Sequence, residues 1–292
     1  MKVLIIGLGQ LGSCVLENIL KNAGLDIEVF TKGETGDFND KNMKYLNNLN
    51  EAVQPDLIFI TANSYKPEDR IKYLNENIDN KNLIDFRDDE AVKNKEMILN
   101  ITSDLKHLKE VPTIITANPP ELLVKLVFEQ LKWSSVYNMQ MMLDNKRISK
   151  ITGISEEEYL CVGEHGRPVP TLSHIKNVDD REYQNIDLEL FKIKEILLKN
   201  QGVPNLEESK ESLSKLIEAF VHCSELRCVL TSYKEGIAFG RPFLIKGLEI
   251  QEQSIPSLSV IENILLDETK ERLIKKWGEK KEISNEIKIK FV

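Results

Sequence analysis

The sequence predicts an α/β protein: an N-terminal Rossmann-type, doubly wound parallel sheet followed by an α+β substrate domain. Three observations point there. Short apolar runs alternate with amphipathic helical patterns through the first half. A G-x-G-x-x-G turn joins the first run to the first helix. The length, 292 residues, holds two ordinary domains. We place the boundary so that residues 1–138 form the dinucleotide-binding domain and residues 139–292 the substrate and catalytic domain.

"KVLIIG" (2–7) is an apolar run suited to a buried parallel strand. It enters "GLGQLG", where Gly7, Gly9 and Gly12 carry the glycine spacing, with Gln10 and Leu11 between them. A helix follows, with Val15, Leu16, Ile19, Leu20 and Ala23 on one face and Gly24 as its stop. Further strands are expected at "DIEVFT" (26–31), "PDLIFITA" (55–62) and "VPTIITANPP" (111–120), and "NLIDF" (82–86) reads as one more. A helix is expected over "ELLVKLVFEQLKW" (121–133), and a charged amphipathic helix near the C-terminus. The opening residues share a lysine and an apolar run with signal peptides, but the interrupting glycines fit strand-turn-helix better.

The glycine turn has a physical purpose. The first glycine allows the tight turn, the second lets backbone approach a pyrophosphate, and the third lets helix and strand pack closely. The helix N-terminus then offers unpaired N–H groups and a positive dipole to the phosphates. An NAD site usually adds a carboxylate about 20 residues further on, for the ribose 2′-hydroxyl. Here Thr31 and Lys32 stand at that place, and Asp26 and Glu28 come too early. Thr31 and Lys32 tolerate a 2′-phosphate, so the cofactor is NAD or NADP. The alternative is that Lys32 simply faces solvent.

"CVGEHGRPVPTLSH" (161–174) sets His165 between two glycines. The plain reading is a surface turn that happens to hold a histidine. About twenty residues earlier, "QMMLDNKRISK" (140–150) places Asp144 and Arg147 three apart, on one side of a helix. Such a pair can offer a carboxylate to fix an imidazole tautomer and a guanidinium to fork onto a substrate carboxylate. An exposed i,i+3 ion pair is the commoner meaning of that spacing.

Taken in order, GLGQLG (7–12), ITANPPELL (115–123), LDNKR (143–147), VGEHGRPVP (162–170) and LTSYKEG (230–236) resemble the lactate and malate dehydrogenases, the L-2-hydroxy acid dehydrogenases, across nearly the whole chain. The resemblance implies reversible NAD(P)-dependent reduction of a 2-oxo acid to an L-2-hydroxy acid. It implies His165 as the acid/base, Asp144 as its orienting carboxylate, Arg147 as the clamp on the substrate carboxylate, and Asn118 lining the site near the nicotinamide. It also implies a lid arginine, for which Arg70 is the first candidate and Arg87 the second, and assembly as a homodimer or homotetramer. This sequence departs from the pattern in places. Tyr65 stands where malate enzymes carry a second arginine, which favours a monocarboxylate, and Pro204 replaces a pocket threonine. The stretch from Arg70 to Asn118 is long for the pattern and the segment between the second strand and "DLIFITA" is short, so either a strand has been lost and another gained, or the loop has been rebuilt.

Composition narrows the partners. The net charge is −8 with no basic stripe, which argues against nucleic acid and against polybasic membrane attachment. No run reaches the roughly 18 apolar residues a membrane helix needs. Cys14, Cys161, Cys223 and Cys228 lack metal-ligand spacing and read as reduced thiols of a cytoplasmic protein. His107, His174 and His222 have no ligand-like neighbours, so no metal is expected. Met139, Met141 and Met142 read as packing. The competing functional reading is a catalytically altered or inactive relative: a nucleotide-binding sensor or interaction protein on the same scaffold.

Overall fold

A computed structural model describes the chain except residues 22–23, 34–37, 39, 67, 70–71, 73–85, 177–178, 200–205 and 278–292, and the side chains of 86–89 and 194–199. The strand β1 (Lys2–Ile6) leads into the helix α1 (Gln10–Leu20), then β2 (Asp26–Phe30), β3 (Met43–Leu46) and β4 (Leu57–Ile60). Next come α2 (Phe86–Leu105), β5 (Thr113–Ile115), α3 (Pro120–Leu131), β6 (Val136–Asn138) and α4 (Gln140–Thr152). The second half holds β7 (Cys161–Glu164), β8 (Arg167–Pro170), α5 (Asp180–Lys199), α6 (Leu206–His222), β9 (Leu226–Lys234), β10 (Ile237–Lys246), β11 (Glu249–Glu252) and α7 (Val260–Trp277).

The first six strands pair in parallel in the order β3-β2-β1-β4-β5-β6. This is the doubly wound arrangement with its strand-order reversal between β1 and β4. The apolar run Val3–Ile6 of β1 follows from burial on both faces. Val3 and Ile5 pack with Val15, Leu16 and Ile19 of α1 and with Leu213 and Leu216 of α6. Leu4 and Ile6 point the other way, onto Ile98 and Ile101 of α2 and Leu123 and Val127 of α3. β4 splits in the same manner, with Leu57 and Phe59 on one side and Ile58 and Ile60 on the other. Side chains alternate along a strand, so a strand sandwiched between helices must be apolar at every position.

The second half continues the same sheet. β6 pairs antiparallel with β9, and β9 with the long β10, which in turn pairs with β11 and β7. β7 and β8 form a hairpin in which Glu164 faces Arg167, so His165 and Gly166 are its two turn residues. Gly166 lies at φ +83, a backbone region that glycine enters without a Cβ clash. α7 is tied down by the fully buried Glu262, which accepts from Leu172 N (2.7 Å), Ser259 N (2.7 Å) and Tyr183 OH (2.5 Å), and from the Ser173 hydroxyl.

The structure corrects the sequence reading at several points. No strand is missing before β4: "MKYL" (43–46) forms β3, pairing with β2 from Ile27↔Met43 to Phe30↔Leu46. β3 has one buried residue in four, too little alternation to read as a strand. Phe86 begins a helix, not the end of a strand; residues 82–85 lie outside the described residues. α3 starts one residue earlier than expected, because Pro120 suits the first helical turn, and ends at Leu131, before Lys132 at φ +60. Ala23 is among the residues not described.

Candidate functional site

The glycine turn is built as its spacing demands. Gly7 sits at φ +101, and a Cβ there would lie 2.6 Å from Ala62 N. A Cβ on Gly12 would lie 1.9 Å from Gly7 O and 2.7 Å from Thr61 Oγ1, so α1 and the β1–α1 turn touch at that point. Gly9 is different: a Cβ there meets nothing within 4 Å. Gly9 and Gln10 are exposed, and Leu11 is partly buried. α1 has no side-chain N-cap and no acid in its first turn, which leaves its N-terminal dipole available to an anion.

A cavity of about 460 Å³ opens beside this turn, at the C-terminal ends of β1, β2 and β4. It is lined by Gly7, Phe30, Thr31 and Lys32 on one side and by Lys93, Glu96 and Asp104 of α2 on the other. Thr31 and Lys32 therefore stand at the end of β2, on the cavity wall. Glu28 is not available to a ribose. It is buried, accepts from Val53 N at 2.9 Å, and lies 4.0 Å from Lys2. The residues present fit a dinucleotide here: a cradle with close packing at its first and third glycines, open space at its second, and an adjoining cavity without a β2 carboxylate.

The second centre lies where α4 meets the β7–β8 turn. Asp144 on α4 is fully buried, and its Oδ2 accepts from His165 Nδ1 at 2.7 Å and from Gly166 N at 2.8 Å. His165 is itself buried, at 4% exposure, so the surface-turn reading does not hold. Burial alone pushes the Asp144 carboxyl upward. The charge and hydrogen bond of His165, the Arg147 guanidinium and the Gly166 N–H outweigh it and bring the group down to about 2. Asp144 thus stays an anion, and its contact fixes the proton of a neutral His165 ring on Nδ1.

Arg147 lies one turn further along α4, with Nη1 3.6 Å from Asp144 Oδ1. Its side chain is 12% exposed, so Asp144 and Arg147 are not a solvated pair. Its Nε approaches Glu208 Oε2 of α6 at 3.5 Å. Gly153, at φ +71, ends α4 by donating to Ser149 O.

Asn118 follows β5 and is aligned by its neighbours. Its carbonyl accepts from Asn94 Nδ2 at 2.7 Å, while Asn94 Oδ1 accepts from Ser64 N at 2.9 Å. Asn138 Nδ2 and Gln140 Nε2 hold the adjoining Ala117 and Thr116 carbonyls at 2.8 and 2.5 Å. Asn118 Oδ1 is buried and has no hydrogen-bond partner among the described residues. An acceptor in that state needs a donor from elsewhere, such as a hydroxyl or a carboxamide.

The structure thus brings Asp144, Arg147 and His165 together. Arg70 lies outside the described residues, as do the Arg87 side chain and Pro204. Sequence reasoning missed three buried groups. Glu121, in the first turn of α3, accepts from His165 N at 2.8 Å. Asn94 clamps the Asn118 loop, and Glu208 faces Arg147. Of these only Glu121 left a trace, as an acid three residues after Asn118 beside a proline helix start. Met139, Met141 and Met142 are buried packing, and all four cysteines are free thiols. Among the described residues, no cluster of three or more His, Cys, Asp or Glu side chains could hold a metal ion, and no helix is long and apolar enough to cross a membrane.

No protein-family model matches the chain, and no curated protein matches it in sequence. Solved structures do. Malate dehydrogenase from Aeropyrum pernix superposes with a TM-score of 0.72 at 16% identity, over 94% of this chain and 97% of that one. Malate dehydrogenase from Archaeoglobus fulgidus in complex with NADH gives 0.72 at 17% identity, over 95% and 98%. L-lactate dehydrogenase from Clostridium thermocellum gives 0.69 at 17% identity, over 94% and 98%. The chain therefore has the malate and lactate dehydrogenase fold over almost its full length.

Proposed function

From a chain folded as the malate and lactate dehydrogenases are, we propose an NAD(P)-dependent oxidoreductase that interconverts a 2-oxo acid and an L-2-hydroxy acid. The observation that carries this reading is the buried Asp144–His165 contact of 2.7 Å with Arg147 on the next turn of the same helix. A nicotinamide dinucleotide, when bound, supplies or accepts the hydride. His165 Nε2 gives a proton to the ketone oxygen as negative charge gathers there, and takes it back in the reverse direction. Asp144 offsets the charge of the protonated ring and fixes its orientation. Arg147 grips the substrate carboxylate and places the reacting carbon. Asn118 Oδ1 accepts a hydrogen bond from the hydroxyl or the carboxamide beside it.

The α1 N-terminus and the glycine turn hold the pyrophosphate. Thr31 and Lys32 leave room for a 2′-phosphate, while Glu96 and Asp104 of the same cavity suit a free ribose, so the proposal includes both cofactors. It also includes the division at residue 138, assembly as a homodimer or homotetramer, a cytoplasmic setting and, from the resemblance, Arg70 as the lid arginine. One observation favours the second reading, a nucleotide-binding relative without turnover: a carboxylate, Glu208, already faces the arginine that the substrate needs. The deciding experiment follows absorbance at 340 nm for a panel of 2-oxo acids with NADH and with NADPH. Wild type is expected to turn over and His165→Asn to be slower by on the order of 100-fold or more. Equal slopes for the two proteins would remove the catalytic claim.

A further inference from the structure

We propose that Glu208 sets the substrate preference of this site, by holding a fixed negative charge beside the carboxylate that Arg147 binds and so favouring 2-oxo monocarboxylates over 2-oxo dicarboxylates. The inference rests on the reading of Arg147 as the carboxylate clamp.

Glu208 lies in the first turn of α6, and its side chain is 11% exposed, nearly the same as that of Arg147. One carboxylate oxygen, Oε1, takes Lys150 Nζ at 2.5 Å. The other, Oε2, lies 3.5 Å from Arg147 Nε, which is buried and has no hydrogen-bond partner among the described residues. On the far side, Asp144 Oδ1 stands 3.6 Å from Arg147 Nη1 and likewise makes no hydrogen bond among the described residues. One guanidinium is therefore flanked by two carboxylates, neither of them seated on its N–H donors. The compensating cation, Lys150, is 56% exposed and weakened by solvent.

Two consequences follow from this geometry. Arg147 Nε has no hydrogen-bond partner among the described residues, so an incoming carboxylate can still fork onto the guanidinium. That carboxylate arrives next to a fixed negative charge, in a part of the protein where like charges repel far more than in water. Glu208 thus lowers the affinity for any anion and lowers it further for a substrate with a second carboxylate. A carboxylate on the substrate clamp is an element of specificity by repulsion.

The test measures binding apart from turnover. Oxamate, a carboxylate beside a carbonyl that cannot be reduced as a ketone is, is titrated calorimetrically into wild type, Glu208→Gln, Lys150→Met, the double variant and Arg147→Gln, with melting curves to verify folding. Glu208→Gln is expected to tighten oxamate on the order of tenfold. It should lower KM for pyruvate without a matching rise in kcat, and narrow the preference for pyruvate over oxaloacetate. Lys150→Met should weaken oxamate in the wild-type background and much less in the Glu208→Gln background, because the two act as one unit. If Glu208→Gln binds oxamate no more tightly, while Arg147→Gln loses binding, the clamp stands and the role of Glu208 is overturned. If Arg147→Gln binds oxamate as wild type does, the clamp reading fails and this inference with it.

Discussion

Replacing Asp144 with asparagine removes one negative charge and almost no volume, at the point where the proposed chemistry depends on charge. Its Oδ2 takes two hydrogen bonds, from His165 Nδ1 at 2.7 Å and Gly166 N at 2.8 Å, in a fully buried position. Burial disfavours the anion, yet the surroundings lower the carboxyl from 3.8 to about 2. That difference is a net preference of about 2 kcal/mol for the charged form, after the penalty of burial has been overcome. An asparagine oxygen can still accept from Gly166 N, but it gives no charge to a protonated ring. Reduction of 2-oxo acids in Asp144→Asn is therefore expected to slow by roughly 100- to 1000-fold in kcat. Dinucleotide affinity, set at the glycine turn, should remain unchanged. The assay is the pH profile of kcat at 340 nm, paired with an NMR titration of the His165 ring, whose protonation should move to lower pH. Stability carries the same signature. The folded carboxyl titrates below the unfolded one, so its contribution is present above pH 3.8 and is lost as the pH falls through about 2. Denaturant unfolding of Asp144→Asn should lack that part of the acid dependence. An unchanged kcat together with an unchanged His165 titration would refute the argument.

The glycines separate folding from binding. Gly12→Ala would drive a Cβ to 1.9 Å from Gly7 O, so it should destabilise the fold by about 3 kcal/mol or more in urea unfolding. Gly9→Ala, with no atom within 4 Å and an ordinary φ of −68, should melt like wild type and yet bind NADH and NADPH at least tenfold more weakly, on the order expected when a phosphate contact is blocked. Equal NADH and NADPH binding for wild type and Gly9→Ala would place the pyrophosphate elsewhere. Lys32 lines the cavity and is exposed, so Lys32→Ala should weaken NADPH on the order of fivefold while leaving NADH alone; equal losses would mean that it acts on a group both cofactors share and not on the 2′-phosphate.

The apolar runs of β1, β4 and β5, the helix pattern of α1 and the glycine turn were all legible in the sequence, because each reports a local requirement. A strand buried on both faces is apolar along most of its length, and a helix against a sheet repeats its apolar residues every turn. Asp144, Arg147 and His165 could be named for a different reason, a likeness of short motifs, and only the folded chain shows the ring and carboxylate within hydrogen-bond reach.

Other features carry no local signal. β3 is a half-exposed edge strand whose pairing with β2 decides its conformation, and α2 begins at Phe86 inside a run that looks like a strand. Asn94, Glu121 and Glu208 look like ordinary polar residues of helices, yet each is buried against a partner 24 to 61 residues away. By itself the chain of residues determined its layers and its glycine turn, since these follow from periodicity and backbone freedom. The tertiary structure alone decided the environment of the arginine, since opposing charges 61 residues apart meet only when α4 and α6 pack together.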